Sequence, residues 1–179
     1  MITMRAMESL VLTVLGPDRP GVVEALAKTI ADHGASWEES RMSHLSGYFA
    51  GLLRVAVPDE KAAGLYRALM SLESRGLRVV IQTGAAVDTK GRRRVTLDLI
   101  GGDRPGIVKS VSEVLASKDV NVESLETEVV PAPDQGRPLF KARGEVALPE
   151  GLSLRDLRAS LEAISTDLLV DIELRGDED

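Results

Sequence analysis

Two stretches of the chain carry glycine, aspartate, arginine and proline in the same order: Gly16-Pro-Asp-Arg-Pro-Gly21 and Gly101-Gly-Asp-Arg-Pro-Gly106. Each sits between two apolar runs. A glycine-flanked turn that opens a helix presents unpaired backbone N–H groups and the positive end of the helix dipole, a ready seat for a carboxylate. Gly16, Gly101 and Gly102 have no Cβ and would let a ligand approach the backbone closely. Asp18 and Asp103 could accept from an ammonium group, and the two functions together would suit an α-amino acid. The same residues also make a good turn with no ligand. Asp18 and Asp103 are suitable helix N-caps, and Pro20 and Pro105 are tolerated in a first helical turn. An aspartate that caps its own helix is less free to grip an amine. Arg19 and Arg104 could meet a carboxylate or a partner, although a solvated arginine is the simpler expectation.

Other chemistries find little support. There are no cysteines, which removes disulfides, thiol catalysis and cysteine-based metal sites and suits a reducing compartment. His33 and His44 are the only histidines, and no carboxylates surround them at metal-ligand spacing, so no metal or other cofactor is expected. Serines are plentiful but lack a paired base. A net charge of −6 argues against direct nucleic-acid binding, which needs clustered Lys and Arg. The one basic run, Lys90-Gly-Arg-Arg-Arg94, reads most simply as solvated linker. The N-terminal Met1–Leu10 lacks the apolar core of a signal peptide and carries Glu8 early. No uncharged apolar stretch approaches the ~20 residues of a membrane span, so a cytoplasmic protein is expected.

The elements that position the two motifs follow from a repeat. Residue 106 superposes on residue 21, an offset of 85, and the register holds beyond the motif, pairing Leu12 with Leu97, Ala31 with Ala116 and Glu38 with Glu123. Leu10, Leu12 and Val14, like Val95, Leu97 and Leu99, alternate as first strands. After each motif, Val22, Val23, Leu26 and Ile30, or Ile107, Val108, Val111 and Leu115, fall at helical spacing. Further strands are read near 36–45, 48–57, 120–130 and 139–146. Second helices are marked by Leu65, Leu69 and Leu72 and by Leu154, Leu157, Leu161 and Ile164, with final strands at 77–82 and 168–174. The predicted organisation is a first domain at 1–83, a linker at 84–91, a second domain at 92–174 and a solvated, disordered tail at 175–179. Pro131–Pro138 is an inserted loop of roughly six or seven residues in the second copy.

The order β-α-β-β-α-β, twice, is that of an α+β, ferredoxin-like fold: a four-stranded antiparallel sheet with both helices on one face. A single copy leaves its other sheet face bare, and a bare apolar face invites docking of the sister copy or of a second chain, as in a homodimer. RNA-recognition domains share this order but stack bases on aromatic residues of the first and third strands. Here the first strands are aliphatic, and the third strands offer only Tyr48, Phe49 and Phe140. Acylphosphatases share it too, but their phosphate-cradling loop is poorly matched by arginines followed by prolines that lack an N–H.

Two such units, each with Gly-x-Asp-Arg-Pro-Gly-[Val/Ile]-Val between first strand and first helix, resemble tandem ACT domains over roughly residues 7–174. Trp37-Glu-Glu-Ser-Arg-Met42 on the second strand resembles, more narrowly, the glycine cleavage system transcriptional repressor group. That group has Asn before the acidic and Ser-Arg residues; the first copy has Ser36 there. The second copy keeps Asn121 but replaces Ser-Arg by Leu125-Glu-Thr127. Asn121 is expected to hydrogen-bond the adjacent loop, with ligand contact the alternative. The resemblance implies a non-enzymatic regulator that senses a small amino acid, with glycine the suggested ligand. Binding would occur at Gly16–Gly21 and Gly101–Gly106, and transcription would be modulated through a protein partner such as a transcription factor. A ligand-free ACT module that binds an enzyme or itself is the alternative, and a small ferredoxin-like enzyme the next.

Overall fold

The computed structural model describes residues 6–84, 92–133 and 136–176. The chain divides into two compact units, Met1–Val87 and Asp88–Asp179. Unit 1 comprises β1 (Met7–Pro17), α1 (Val22–Asp32), β2 (Ser36–Leu45), β3 (Tyr48–Pro58), α2 (Asp59–Ser71), a 3-10 turn (Leu72–Arg75) and β4 (Arg78–Thr83). Unit 2 repeats the order with β5 (Arg93–Gly102), α3 (Ile107–Ser117), β6 (Asn121–Val130), β7 (Leu139–Leu148), α4 (Leu154–Leu168) and β8 (Val170–Arg175). The sheets are antiparallel with strand orders β2-β3-β1-β4 and β6-β7-β5-β8, the ferredoxin-like arrangement read from the repeat.

Alternation explains each core. Leu10, Leu12 and Val14 of β1 point to the helix side and pack with Leu26, Ile30, Leu53, Val55, Leu65 and Leu69. Val95, Leu97 and Leu99 do the same in unit 2 with Val111, Leu115, Val146, Leu157 and Leu161. Apolar residues three and four apart supply the buried helix stripe: Val22, Leu26 and Ile30 in α1, and Ile107, Val111 and Leu115 in α3. Trp37 is half-buried against the unit 1 core and donates from Nε1 to Ser40 Oγ at 3.2 Å.

Pairing fixes the insertion. Phe49 faces Gly16 and Phe140 faces Gly101, so the offset grows from 85 to 91 (140 − 49), and the second-copy loop is six residues longer. Residues 134–135 of that loop lie outside the described residues. The edge strands β2 and β6 share a bulge, with the register shifting across Glu38 and Glu123.

Several boundaries differ from the sequence reading. Leu168 belongs to α4 rather than to the final strand. The helix ends at Leu169 in the left-handed region (φ 53°), and β8 starts only at Val170. Arg175, read as tail, pairs with Thr96 as the last residue of β8; residues 177–179 lie outside the described residues. Gly84, read as linker, still donates its N–H to Ser9 O at 2.8 Å, and residues 85–91 are outside the described residues. The basic run is not plain linker either. Arg93 and Arg94 open β5, Arg92 donates to Asp119 O at 2.9 Å, and Arg94 Nε meets Glu123 at 2.6 Å. A bare apolar sheet face holds only in part, and only for unit 1, where Arg54 pairs with Glu38 at 3.1 Å and Glu39 at 3.5 Å beside the apolar positions. There Leu15, Leu52 and Val80 are exposed, whereas unit 2 carries ion pairs from Asp98 to Arg143 (2.6 Å) and Arg175 (3.7 Å).

Candidate functional site

Each motif loop is anchored at both ends by its own unit. The Asp18 N–H donates to Gly47 O of the β2–β3 turn at 2.9 Å, and the Asp103 N–H donates to Pro138 O, the matching place before β7, at 2.7 Å. Gly21 (φ 89°) and Gly106 (φ 98°), both in the left-handed region that favours glycine, then turn the chain into the helix. They, not the aspartates, occupy the N-cap position, and neither helix has a side-chain cap. The capping role expected of Asp18 and Asp103 is therefore absent. Strand β1 runs on to Pro17 and the following three residues bridge to Gly21, which leaves each aspartate too far ahead of its helix. Pro20 and Pro105 likewise precede the helix instead of lying in its first turn. The Asp18 carboxylate stands 3.6 Å from His44 Nδ1.

The arginines are not simply solvated. Arg19 Nη2 donates to Arg75 O, and Arg104 Nη2 donates to Asp167 O. Those carbonyls lie at the C-terminal ends of the 3-10 turn and of α4, where carbonyls lack helical partners and a cation is favoured. The glycines divide. A Cβ on Gly16 would come 2.7 Å from Gly76 O, and one on Gly101 would come 2.5 Å from Val170 Cγ1 and 2.7 Å from Leu169 O. The space beside them is filled by the chain entering the last strand, so neither offers the close approach expected for a ligand. Gly102 has nothing within 4 Å of its Cβ position. Asn121 does not meet the motif loop of its unit: it pairs with Ala147 while Gly101 pairs with Phe140. Seven residues of β7 separate the two places, about 23 Å at strand rise.

In unit 1 the loop borders a cleft of about 540 Å³. One wall is Arg19, Pro20, Gly21, Val22, Glu24 and Ala25; the other is Leu72, Ser74, Arg75 and Leu77. The first intrahelical bond of α1 runs from the Ala25 N–H to Gly21 O at 2.9 Å, so the N–H groups of Val22, Val23 and Glu24 have no helical acceptor. Two arginines and the helix N-terminus provide positive potential, and Glu24 in the first turn provides a carboxylate. A zwitterion's carboxylate and ammonium both find a counterpart here. Glu24, Ser74 and Arg75 were absent from the sequence-based site. Glu24 was visible three residues after Gly21, but the 3-10 turn comes alongside only through folding. In unit 2 the residue matching Glu24 is Lys109, which pairs with Glu113 at 3.7 Å. The two motifs are thus alike in scaffold and opposite in charge at this place.

Among the described residues no group of three or more His, Asp or Glu side chains could hold a metal ion. No helix among them is long and apolar enough to cross a membrane.

Paired βαββαβ units, each with the same glycine-bounded loop between first strand and first helix, make this a tandem ACT-type protein. The ACT domain family model matches residues 8–82, within unit 1, and unit 2 repeats the same ACT-like fold. The chain is 21% identical over 170 residues to the glycine cleavage system transcriptional repressor of Escherichia coli (strain K12), covering 93% of this chain and 89% of that protein. A crystal structure of an unknown protein from Galdieria sulphuraria is similar with a TM-score of 0.85 and 32% identity, covering 95% of this chain and 98% of the other. A solved structure provisionally bearing the glycine cleavage repressor name has a TM-score of 0.71 at 18% identity, covering 97% and 99% of the two chains; at that identity the likeness concerns the fold.

Proposed function

We propose that the chain is a non-enzymatic regulatory protein that binds a small amino acid in the cleft at the N-terminus of α1 and passes the signal to a protein partner. The observation that carries this reading is the charge arrangement of the unit 1 cleft. Arg19, Arg75 and the free first-turn N–H groups stand on hand for a carboxylate, with Glu24 for an ammonium group. Relationship to a protein named as a glycine cleavage system transcriptional repressor supports transcription as the regulated process and makes glycine the first ligand to test. The net charge of −6 supports action through a protein rather than through direct contact with nucleic acid. Ligand would work by population shift, stabilising the arrangement of Arg19 that it binds best.

The test is calorimetry and thermal shift on the full chain against the common amino acids at millimolar concentration. One or a few stabilising ligands are expected, because binding the native state raises stability. Glu24→Gln should weaken binding at least tenfold, and Asp103→Ala should leave it unchanged. A flat panel overturns ligand sensing. Equal loss from both substitutions overturns the assignment to unit 1. A gel shift by the purified protein alone would overturn the partner-mediated mechanism.

For unit 2 the observations favour a different reading, a loop with a structural role. There Lys109 stands at the place of Glu24, where an ammonium would need a carboxylate, and it pairs with Glu113.

A further inference from the structure

Among the places where the two cores differ, one matched pair exchanges a leucine between strands. In unit 1, Leu53 of the inner strand β3 faces Ser40 of the edge strand β2; in unit 2, Gly144 of β7 faces Leu125 of β6. Leucine has moved from the inside of the sheet to its edge. Its exposure follows, from 1% at Leu53 to 49% at Leu125. The neighbouring edge position changes from Trp37 to Val122, which subtracts further volume. The result is an apolar groove of about 50 Å³ between α3 and β6, floored by Leu97, Leu99, Val111, Leu115 and Phe140. Its mouth lies between Val108, Val122 and Leu125, all exposed large hydrophobics.

The hollow cannot be filled from its own glycine. A Cβ on Gly144 would lie 2.7 Å from Ser124 O, so any side chain there requires the backbone to shift. A groove floored by apolar side chains offers water few polar partners and is available to an apolar guest. Size sets the guest. A cavity of ~150 Å³ holds benzene, so a third of that admits an alkyl group of about two to three carbons and excludes a ring. The polar end of such a molecule must remain at the open mouth, where Ser112 lies on the rim.

We propose that the α3–β6 groove of unit 2 is a binding site for the alkyl end of a small aliphatic molecule, taking the place that Leu53 and Trp37 fill in unit 1. This site is separate from the amino-acid cleft and does not depend on it. The experiment uses the full chain with ¹³C-labelled Leu and Val methyl groups, titrated with 1-propanol and, as a control of equal carbon number with a hydroxyl on every carbon, glycerol. Saturable shifts are expected at Val111, Leu115, Val122 and Leu125, with none at Leu26 or Leu53. Non-saturating shifts, shifts of equal size in both units, or the same response to glycerol would overturn the proposal. Val122→Trp, which copies unit 1, should abolish the saturable response. Ala142→Gly, which enlarges the groove by one methyl, should lower the midpoint at least twofold. If Val122→Trp does not fold, the Ala142→Gly titration decides, and an unchanged midpoint counts against the site.

Discussion

On the open face of the unit 1 sheet, Leu52 and Val80 flank Thr13 of the central strand; at the matching places of unit 2, Arg143 and Glu173 flank Asp98. The helix-side faces of the same strands have stayed apolar in both. Inward positions are held to apolar residues because they face the core. Outward positions are free, and here they have diverged: unit 1 keeps an exposed apolar strip beside its Arg54–Glu39 pair, and unit 2 is ion-paired across its central strand. Arg143 Nε reaches Asp98 at 2.6 Å, Arg175 reaches Glu173 at 2.8 Å, and Lys141 reaches Glu128 at 3.8 Å. A face that satisfies its own charges is suited to water. Contiguous exposed apolar surface is suited to being covered.

The largest effect should come from disturbing what the units share least in their cores. Leu53→Ala should cost about 2–5 kcal/mol of unit 1 stability, as for other buried leucines, whereas Leu125→Ala should cost less than about 1.5 kcal/mol because half its surface is already in water. Urea unfolding would check both, with Trp37 fluorescence reporting unit 1 and methyl resonances reporting unit 2. Equal losses would mean that the exchanged leucines do equivalent work.

The glycines come next. Gly101→Ala should destabilise by about 1–3 kcal/mol through overpacking against Val170 and Leu169, while Gly102→Ala, with nothing near its Cβ position, should be close to neutral. The same urea curves measure them. If the two substitutions cost the same, the close approach of the last strand is not what requires glycine at residue 101.

Smaller still are changes to the open faces. Asp98→Ala should cost about 1 kcal/mol, the net worth of a typical hydrogen bond, since a largely covered carboxylate here meets an exposed Arg143. Leu52→Lys should stay within about 0.5 kcal/mol. The sharper readout is association by sedimentation velocity: Leu52→Lys should weaken any concentration-dependent association, and Asp98→Ala should leave it unchanged. The opposite pattern would assign contact to the ion-paired face.

The smallest effect concerns titration on unit 2. The Arg175 guanidinium, hydrogen-bonded to Glu173 and adding its charge, holds that carboxyl below its ordinary 4.5. A carboxyl lowered in the folded state adds stability above its unfolded value, and that contribution is lost as pH falls through the lowered one. Both groups are exposed, so the effect belongs in an NMR titration of Glu173. Its midpoint should rise toward the ordinary value in Arg175→Ala, and no movement would show that the pair does not persist in solution.

What could be read from the chain followed the period of its side chains. The residue spacing placed β2 at Ser36–Leu45 and set the helix stripes of α1 and α3, because burial on one face writes itself into alternation. Local chemistry misled at Asp18 and Asp103. They have the residue type of a cap, but the left-handed turn at Gly21 and Gly106 moved the helix start three residues on. Partners far along the chain were invisible. Nothing near Arg19 announces Arg75 O, and nothing near Gly16 announces Gly76, since both contacts exist only after the last strand has docked. The cleft was half legible for the same reason: its helix wall is local, and its other wall comes from the 3-10 turn.

The central position of β1 also bears on how the protein is made. Its partners are β3 and β4, so this strand leaves the ribosome before either of them and is among the last of its unit to be fully paired. From Pro17 to Thr83 the ribosome needs roughly 3–13 s at typical elongation rates, and for that interval one edge of an aliphatic strand stays open. Gly16 meets Gly76 only when that wait ends. Closure of the motif loop is thus a late step in the birth of each unit, and a stalled or truncated chain would display an aliphatic strand with an open edge before the fold could cover it.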